Sequence, residues 1–378
     1  MKITQAIKKD ALPWQYNGED KKLHTNPLVL IFGERMLLQD ETIINEIREE
    51  FPYENLIFAT SAGEIHNTTV QENSIIVNII SFEKATFNIQ TANILDFEKD
   101  STAIGQHLIQ KLDPENLKHI FLISEGTFCN ASQLLAGLEK YNVSKAPISG
   151  GLCGDDHRFE KTLASLNQNP QEGEVILIGL YGESLEVSYA SHGGWIPFGP
   201  MRNVTKSKGN ILIELDGIPA LDLYKKYLGE KAKDLPHSAL FYPLHITEKG
   251  KDHSVVRTIL NIDHENKTMI FAGDIEEGAQ AQLMLATVDG IVNGASIAAQ
   301  KGLNNRKKAP ELAILVSCIG RKLVLNQRVE EEIEEINIKL ENHTPIIGFY
   351  SYGEITPSPE TSESILHNQT MTLTLISE

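Results

Sequence analysis

Three stretches of the chain carry the same order of apolar and polar positions. In each, a short apolar run is followed by a segment with apolar residues at helical spacing. A second apolar run then enters a turn of small residues, and a third apolar run closes the unit. The first copy places these at Leu28–Phe32, Asp40–Phe51, Asn55–Ile65 and Ser74–Phe82, with the turn Ser61-Ala62-Gly63-Glu64. The second places them at Ile120–Ser124, Ala131–Tyr141, Ala146–Asp156 and Glu174–Gly182, with the turn Gly150-Gly151-Leu152-Cys153-Gly154-Asp155. The third places them at Leu312–Ser317, Arg328–Leu340, Pro345–Ile355 and His367–Ser377, with the turn Ser351-Tyr352-Gly353-Glu354. Pro147-Ile148-x-Gly150 and Pro345-Ile346-x-Gly348 share a spacing, and Gly-Asp or Gly-Glu follows each. The pattern predicts an α/β fold with mixed sheets built from repeated β-α-β-β units. It also predicts that the turns converge, with Asp155 and Glu354 in reach of one cavity or related by a pseudo-symmetry axis.

The segments between the copies read less clearly. Residues 1–26 lack a sustained period and predict a loosely packed lead-in. A strand over Ala85–Ile94 and a helix near Thr102–Leu112 follow the first copy, and Asp113-Pro114 closes that helix. Leu134, Leu135, Leu138 and Tyr141 share one face of the helix 131–141, which Asn130 can cap. In the third copy Val329, Ile333, Ile336 and Leu340 form the stripe, and the five glutamates between 330 and 335 read as a solvated face. Strand Leu185–Ala190 runs into Ser191–Pro200, whose glycines and prolines predict an irregular aromatic loop. A strand over Gly209–Asp216 and a helix from Pro219 to Gly229 come next. The apolar tract Ala279–Ala299 carries Gln280, Gln282, Asp289, Asn293 and Ser296, and so reads as a buried helix and not a membrane span. Lys231–Pro236 is the most linker-like stretch, and the boundary between two domains is set at residues 217 and 218.

Composition narrows the class. A length of 378 residues exceeds one core, and 41% apolar with 22% charged residues is ordinary globular usage. A net charge of −17 disfavours nucleic acid and anionic membrane as partners, because both demand clustered Lys and Arg. Cys129, Cys153 and Cys318 are widely spaced and odd in number, which fits reduced thiols in the cytoplasm. The first residues show no apolar core of a secretion signal.

Candidate chemistry concentrates in three places. Gly150–Phe159 holds three glycines and both charge signs, with Asp155, Asp156, His157 and Arg158 in succession. It reads either as a tight turn with a surface ion pair or as a ligand loop. Its spacing fits neither a dinucleotide nor a P-loop fingerprint. Ser317-Cys318-Ile319-Gly320-Arg321 leaves a strand for a helix, where Arg321 would anchor an anion or pair with Glu354 or another carboxylate. Tyr350, Tyr352 and Glu354 alternate at period two and are expected on one strand face. No nucleophile elbow, HExxH or CxxC occurs.

These residues in this order resemble the FIST family. The matching stretches are Gly150–Asp155, His192-Gly193-Gly194-Trp195 with Pro197 and Gly199, Leu215–Ala220, Ser317–Arg321, Gly348–Glu354 and Leu366–Thr370. They cover about residues 27–375. The resemblance implies a FIST N-like domain over 27–217, a FIST C-like domain over 218–375, and a prokaryotic cytoplasmic sensor of a small, amino acid-like or anionic ligand. It implies a separate signalling partner such as a histidine kinase, with no membrane insertion and no enzymatic activity. The site is expected to combine Cys153, Gly154, Asp155, His157, Arg158, His192, Trp195, Arg321, Tyr350, Tyr352, Glu354, His367 and Asn368. Because some members of the family are haem-based nitric oxide sensors, one alternative is a haem protein with His192, His157 or His367 as the iron ligand. A second alternative is a hydrolase or transferase with Cys153 as nucleophile, though flanking aspartates work against a depressed thiol pKa. Residue 156 is Asp where the family more often has Gly, a departure that bears on the conformation of the loop.

Overall fold

The computed structural model describes residues 1–9, 12–250, 254–359 and 361–378. Each repeat forms the same three-strand kernel. Strand Leu28–Gly33 lies parallel to Leu56–Thr60 and antiparallel to Ser74–Ser81. Leu117–Ser124 relates in the same way to Ile148–Leu152 and Glu174–Tyr181. Leu312–Cys318 does so to Ile346–Ser351 and Met371–Ser377. Pairing sets Ile31 opposite Phe58, Leu122 opposite Gly150 and Leu315 opposite Gly348, which puts the copies in register.

The strands are mostly apolar because nearly all their residues are buried on both faces, with polar exceptions such as Asn78, His119 and Thr374. Phe32, Ile123 and Val316, equivalent in this register, meet in one inner core with Phe121, Ile314 and Phe349. The rings of Phe32 and Phe349 lie 4.6 Å apart there. The alternate residues point outward under helices. Val29 and Ile31 pack with Ile44 and Ile47 of helix Glu41–Glu50, and Leu122 and Leu315 with Leu134, Leu138, Ile333 and Ile336 of the later helices.

After each second strand the chain leaves its own sheet. Glu64–His66 from the first copy adds to Ile346–Ser351 of the third, and Glu354–Pro357 from the third adds to Ile148–Leu152 of the second. Ala164–Leu166 from the second adds to Leu56–Thr60 of the first. Each six-stranded sheet is thus completed by a strand from another copy, in a closed cycle.

A second body, the eight-stranded antiparallel sheet spanning Ile196–Leu285, is inserted before the third copy. The turn at Asp216-Gly217 lies inside this sheet, between Ile211–Leu215 and Ile218–Pro219. The third copy packs back on the first two, so residues before 196 and after 287 share one body.

Four expectations are corrected. Lys2–Lys9 is a strand, not a loose lead-in, pairing with Ser74–Ser81 on one side and Gln15–Gly18 on the other. It shows no clean alternation because Thr4 and Gln5 are buried, Gln5 donating to Asn78 Oδ1 and Ile346 O. The aromatic stretch after Trp195 belongs to a strand, Ile196–Lys208, with irregular register between Phe198 and Arg202. The tract Ala279–Ala299 divides into strand Gln280–Leu285 and helix Val288–Leu303, the break coming before the cap Thr287. In the glutamate run Glu332 is fully buried, not solvated.

Candidate functional site

The copies differ most after their second strand. In the first, Ala62 N donates to Tyr350 O, and in the second Gly154 N donates to Thr60 O, which aligns Gly154 with Ala62. Tyr350 N donates to Gly63 O and Thr60 N to Leu163 O, which aligns Leu163 with Gly63. Between these anchors the second copy inserts residues 155–162. The partner of Glu354 under the pseudo-symmetry is therefore Glu64, not Asp155, and the Gly-Asp of the second copy is not equivalent to the Gly-Glu of the other two.

Glu64 and Glu354 make the equivalence concrete. Ser61 donates to Glu64 at 2.6 Å and Ser351 to Glu354 at 2.8 Å, each from three residues upstream. Ser74 Oγ adds a bond to Glu64, and Thr370 adds its N and Oγ1 to Glu354. Both carboxyls are fully buried, and burial pushes their pKa up to about 7 and about 8 respectively.

The inserted loop is pinned at one end and open at the other. Asp155 is buried and accepts from Arg35 Nε at 2.7 Å, Arg158 Nε at 2.8 Å and Lys161 N at 3.2 Å. Arg158 also donates to Glu34 at 2.6 Å. Past this knot Phe159 stacks on Tyr352, with centroids 4.5 Å apart and planes 18° apart. The Tyr352 hydroxyl accepts from Phe159 N and donates to Asp156 O.

His157, Arg158, Phe159 and Tyr352 form one wall of a cavity of about 740 Å³ between the two bodies. The loop Gly126–Asn130 supplies a second wall, and Asn210, Leu260, Asn261 and Phe271 of the inserted sheet, with His237 and Leu240 of the short 3-10 helix beside it, supply the third. Glu125 turns the Gly126–Asn130 loop by accepting from the backbone N of Thr127, Phe128 and Cys129, so those amides already hold a carboxyl group. Asn130 Nδ2 donates to Asp274 Oδ1 at 2.9 Å, tying this wall to the other body.

The remaining expected residues lie elsewhere. Arg321, the expected anion anchor, is fully buried; it donates to Glu332 through Nε and Nη2 and to the carbonyls of Gly193 and Ile291. Its partner is Glu332 and not Glu354. Tyr350 donates to Glu332 at 2.6 Å from the opposite side. Tyr350, Tyr352 and Glu354 do not share a face, because the chain turns at Tyr352-Gly353 and Glu354 joins another sheet. Cys153 is fully buried at the position of Ser61 and Ser351, and burial raises its pKa far above that of a free thiol, contrary to a nucleophile. Gly154 has no room for a side chain, since an added Cβ would lie 2.6 Å from Ala62 N.

His192 ends strand Glu186–His192 with its Nδ1 3.4 Å from Lys301 Nζ, and burial lowers its pKa. Trp195 donates to Gln369 O at 3.0 Å and packs on Met284, Ile291 and Leu325. His367 pairs in register with Glu354, and Asn368 accepts from Thr258 N. None of these lines the cavity. Of the expected residues, His157, Arg158 and Tyr352 do. The sequence reading missed Phe128, Asn130, His237 and Asn261; Gly126 after an apolar strand was the only local signal for the first two, and the inserted sheet gave none.

The FIST N domain matches residues 27–218, and the FIST C domain matches residues 220–357. The chain belongs to the FIST family. FIST domains are sensory, so this FIST protein is a signal-transduction sensor. It is similar to an uncharacterized protein of Methanocaldococcus jannaschii, 24% identical over 371 residues, covering 86% of this chain and 69% of that protein. The join between the matched domains falls just after the 216–217 turn, at Ile218–Pro219 of the inserted sheet, so the cavity draws residues from both matched segments. Among the described residues no helix is long and apolar enough to cross a membrane.

Proposed function

We propose that this FIST protein is a cytoplasmic sensor that holds a small amino acid-like or anionic ligand in the cavity between its two bodies. It signals through a separate partner, a histidine kinase being the expected kind. One observation carries the reading: the pseudo-threefold breaks at residues 155–162, and inserted residues there line the cavity of about 740 Å³ between the bodies. Copies one and three close the same position with a buried Ser–Glu clasp. A ligand touching both walls would bias the angle between the bodies, the kind of differential contact that a sensor requires. A thermal-shift screen of amino acids and organic acids tests this against Leu260→Trp, which fills the cavity mouth from an exposed position. Stabilisation that the variant abolishes supports the reading; stabilisation that persists in it rejects the site.

A haem reading stands second, and one observation favours it. Of the three candidate histidines only His157 lines the cavity, and its Nδ1 lies 2.7 Å from Asp156 Oδ2, which leaves Nε2 for iron. Haem held there would supply a coordination site for a diatomic gas. Titrated haem should give a Soret band that His157→Ala alters and His192→Ala leaves unchanged.

A further inference from the structure

We infer that the cavity takes a molecule with a planar ring system and a single acidic group. The inference rests on the ligand-binding reading above and adds the ligand's chemistry. No Asp or Glu lines the cavity among the described residues, although the chain carries a net charge of −17. Arg158, His157 and His237 do line it, and Lys99 Nζ stands 4.2 Å from the centroid of the lining residue Phe128.

The charge is also held in place. Arg158 is fixed through Nε on Asp155 and Nη2 on Glu34, and among the described residues its Nη1 has no hydrogen-bond partner. A guanidinium fixed on one edge can offer the other to a carboxylate at low entropic cost. The backbone amides of Thr127, Phe128 and Cys129 are taken by Glu125, and those of Ser132 and Gln133 at the start of the next helix by Asn130, so a multiply charged phosphate finds no nest there.

The ring preference comes from the aromatic lining. Phe128, Phe159, Phe271 and Tyr352 enter from both bodies, and the stacked pair Phe159–Tyr352 presents a flat surface. A volume of about 740 Å³ suits two or three fused rings better than a single amino acid. The amides of Asn210 and Asn261 also line the cavity, Asn210 Nδ2 being spent on Phe271 O and Asn261 Oδ1 on Ile262 N, which leaves one polar atom on each for the edge of a ring.

Titration calorimetry on the full chain compares 2-naphthoate with 2-naphthylmethylamine, which keeps the rings and reverses the charge, and with octanoate, which keeps the charge and loses the rings. Naphthoate is expected to bind about tenfold or more tightly than either, the effect of one charge-assisted contact or one aromatic stack. Arg158→Gln should bring naphthoate to the level of the amine. Phe159→Ala, at an exposed position, should weaken naphthoate about fivefold and leave octanoate unchanged. Should Arg158→Gln fail to fold, the wild-type comparison and Phe159→Ala still decide. Equal or tighter binding of the amine or of octanoate, or no binding of naphthoate, overturns the inference. If the amine or octanoate binds and Leu260→Trp abolishes that binding, the cavity reading survives and only the chemistry is wrong. If binding persists in Leu260→Trp, both fail.

Discussion

Arg321 donates from Nε at 3.0 Å and from Nη2 at 2.7 Å to one oxygen of Glu332, with both side chains closed to solvent. The other Glu332 oxygen accepts from Ser317 and Tyr350, so the pair ties two strands and two helices of the third copy to Gly193 and Ile291. Removing one partner of a buried ion pair strands the other charge, at a cost of about 3–5 kcal/mol. Arg321→Gln should lower stability in urea by that amount while ligand-dependent stabilisation persists. Arg321→Met with Glu332→Leu should recover much of the loss, because an apolar pair leaves no charge behind.

Stability should fall as pH rises from about 6.5 to about 8. A carboxyl whose pKa is raised on folding gives stability that is full below its unfolded value of 4.5 and is lost as pH rises through its folded value, here about 7 for Glu64 and about 8 for Glu354. His119 works the other way. Burial lowers its pKa to about 3, so its contribution is lost as pH falls below 6.5, outside the window. Urea titrations at several pH values should show a slope that Glu354→Gln flattens between 7 and 8 and Glu64→Gln flattens below 7.

Gly150→Ala and Gly348→Ala should each cost about 3 kcal/mol or more, or prevent folding. An added Cβ would stand 1.9 Å from Leu122 O at the first and 2.0 Å from Leu315 O at the second, both backbone atoms of the paired strand. Circular dichroism melts measure this. By contrast, Gly217→Ala meets nothing within 4 Å and carries only the strain of φ 76°, so its loss should be smaller.

The three thiols should resist labelling in the native state. Burial raises Cys129 to about 11 and lifts Cys153 and Cys318 well above the ordinary thiol range. A thiol reagent at pH 7.5 is expected to react only after denaturation. Fast labelling of Cys153 in the folded protein would revive a cysteine-dependent activity.

The repeated kernels were legible because strands buried on two faces write uninterrupted apolar runs, and helix 131–141 with its cap Asn130 lies where spacing put it. The exchange of strands was not legible, since which sheet Glu64–His66 or Ala164–Leu166 joins is decided by backbone partners hundreds of residues away or in another copy. A likeness between Gly154-Asp155 and Gly353-Glu354 misled for the same reason, because only hydrogen-bond register exposes the inserted residues. Arg321 was misjudged because its partner hid within a glutamate run that looked solvated. His157 and Arg158 stood out by charge density, whereas His237 and Asn261 reach the cavity from a short helix and a strand of the inserted body with no mark of function in their local pattern.

The cycle of lent strands bears on ancestry. One kernel as a separate polypeptide would hold an unfilled sheet edge and an orphan strand, and two such chains would still leave one edge bare. Three would close, each lending to the next around a ring. The present chain has the form of three such protomers joined head to tail, the middle one carrying residues 155–162 where the other two carry the Ser–Glu clasp.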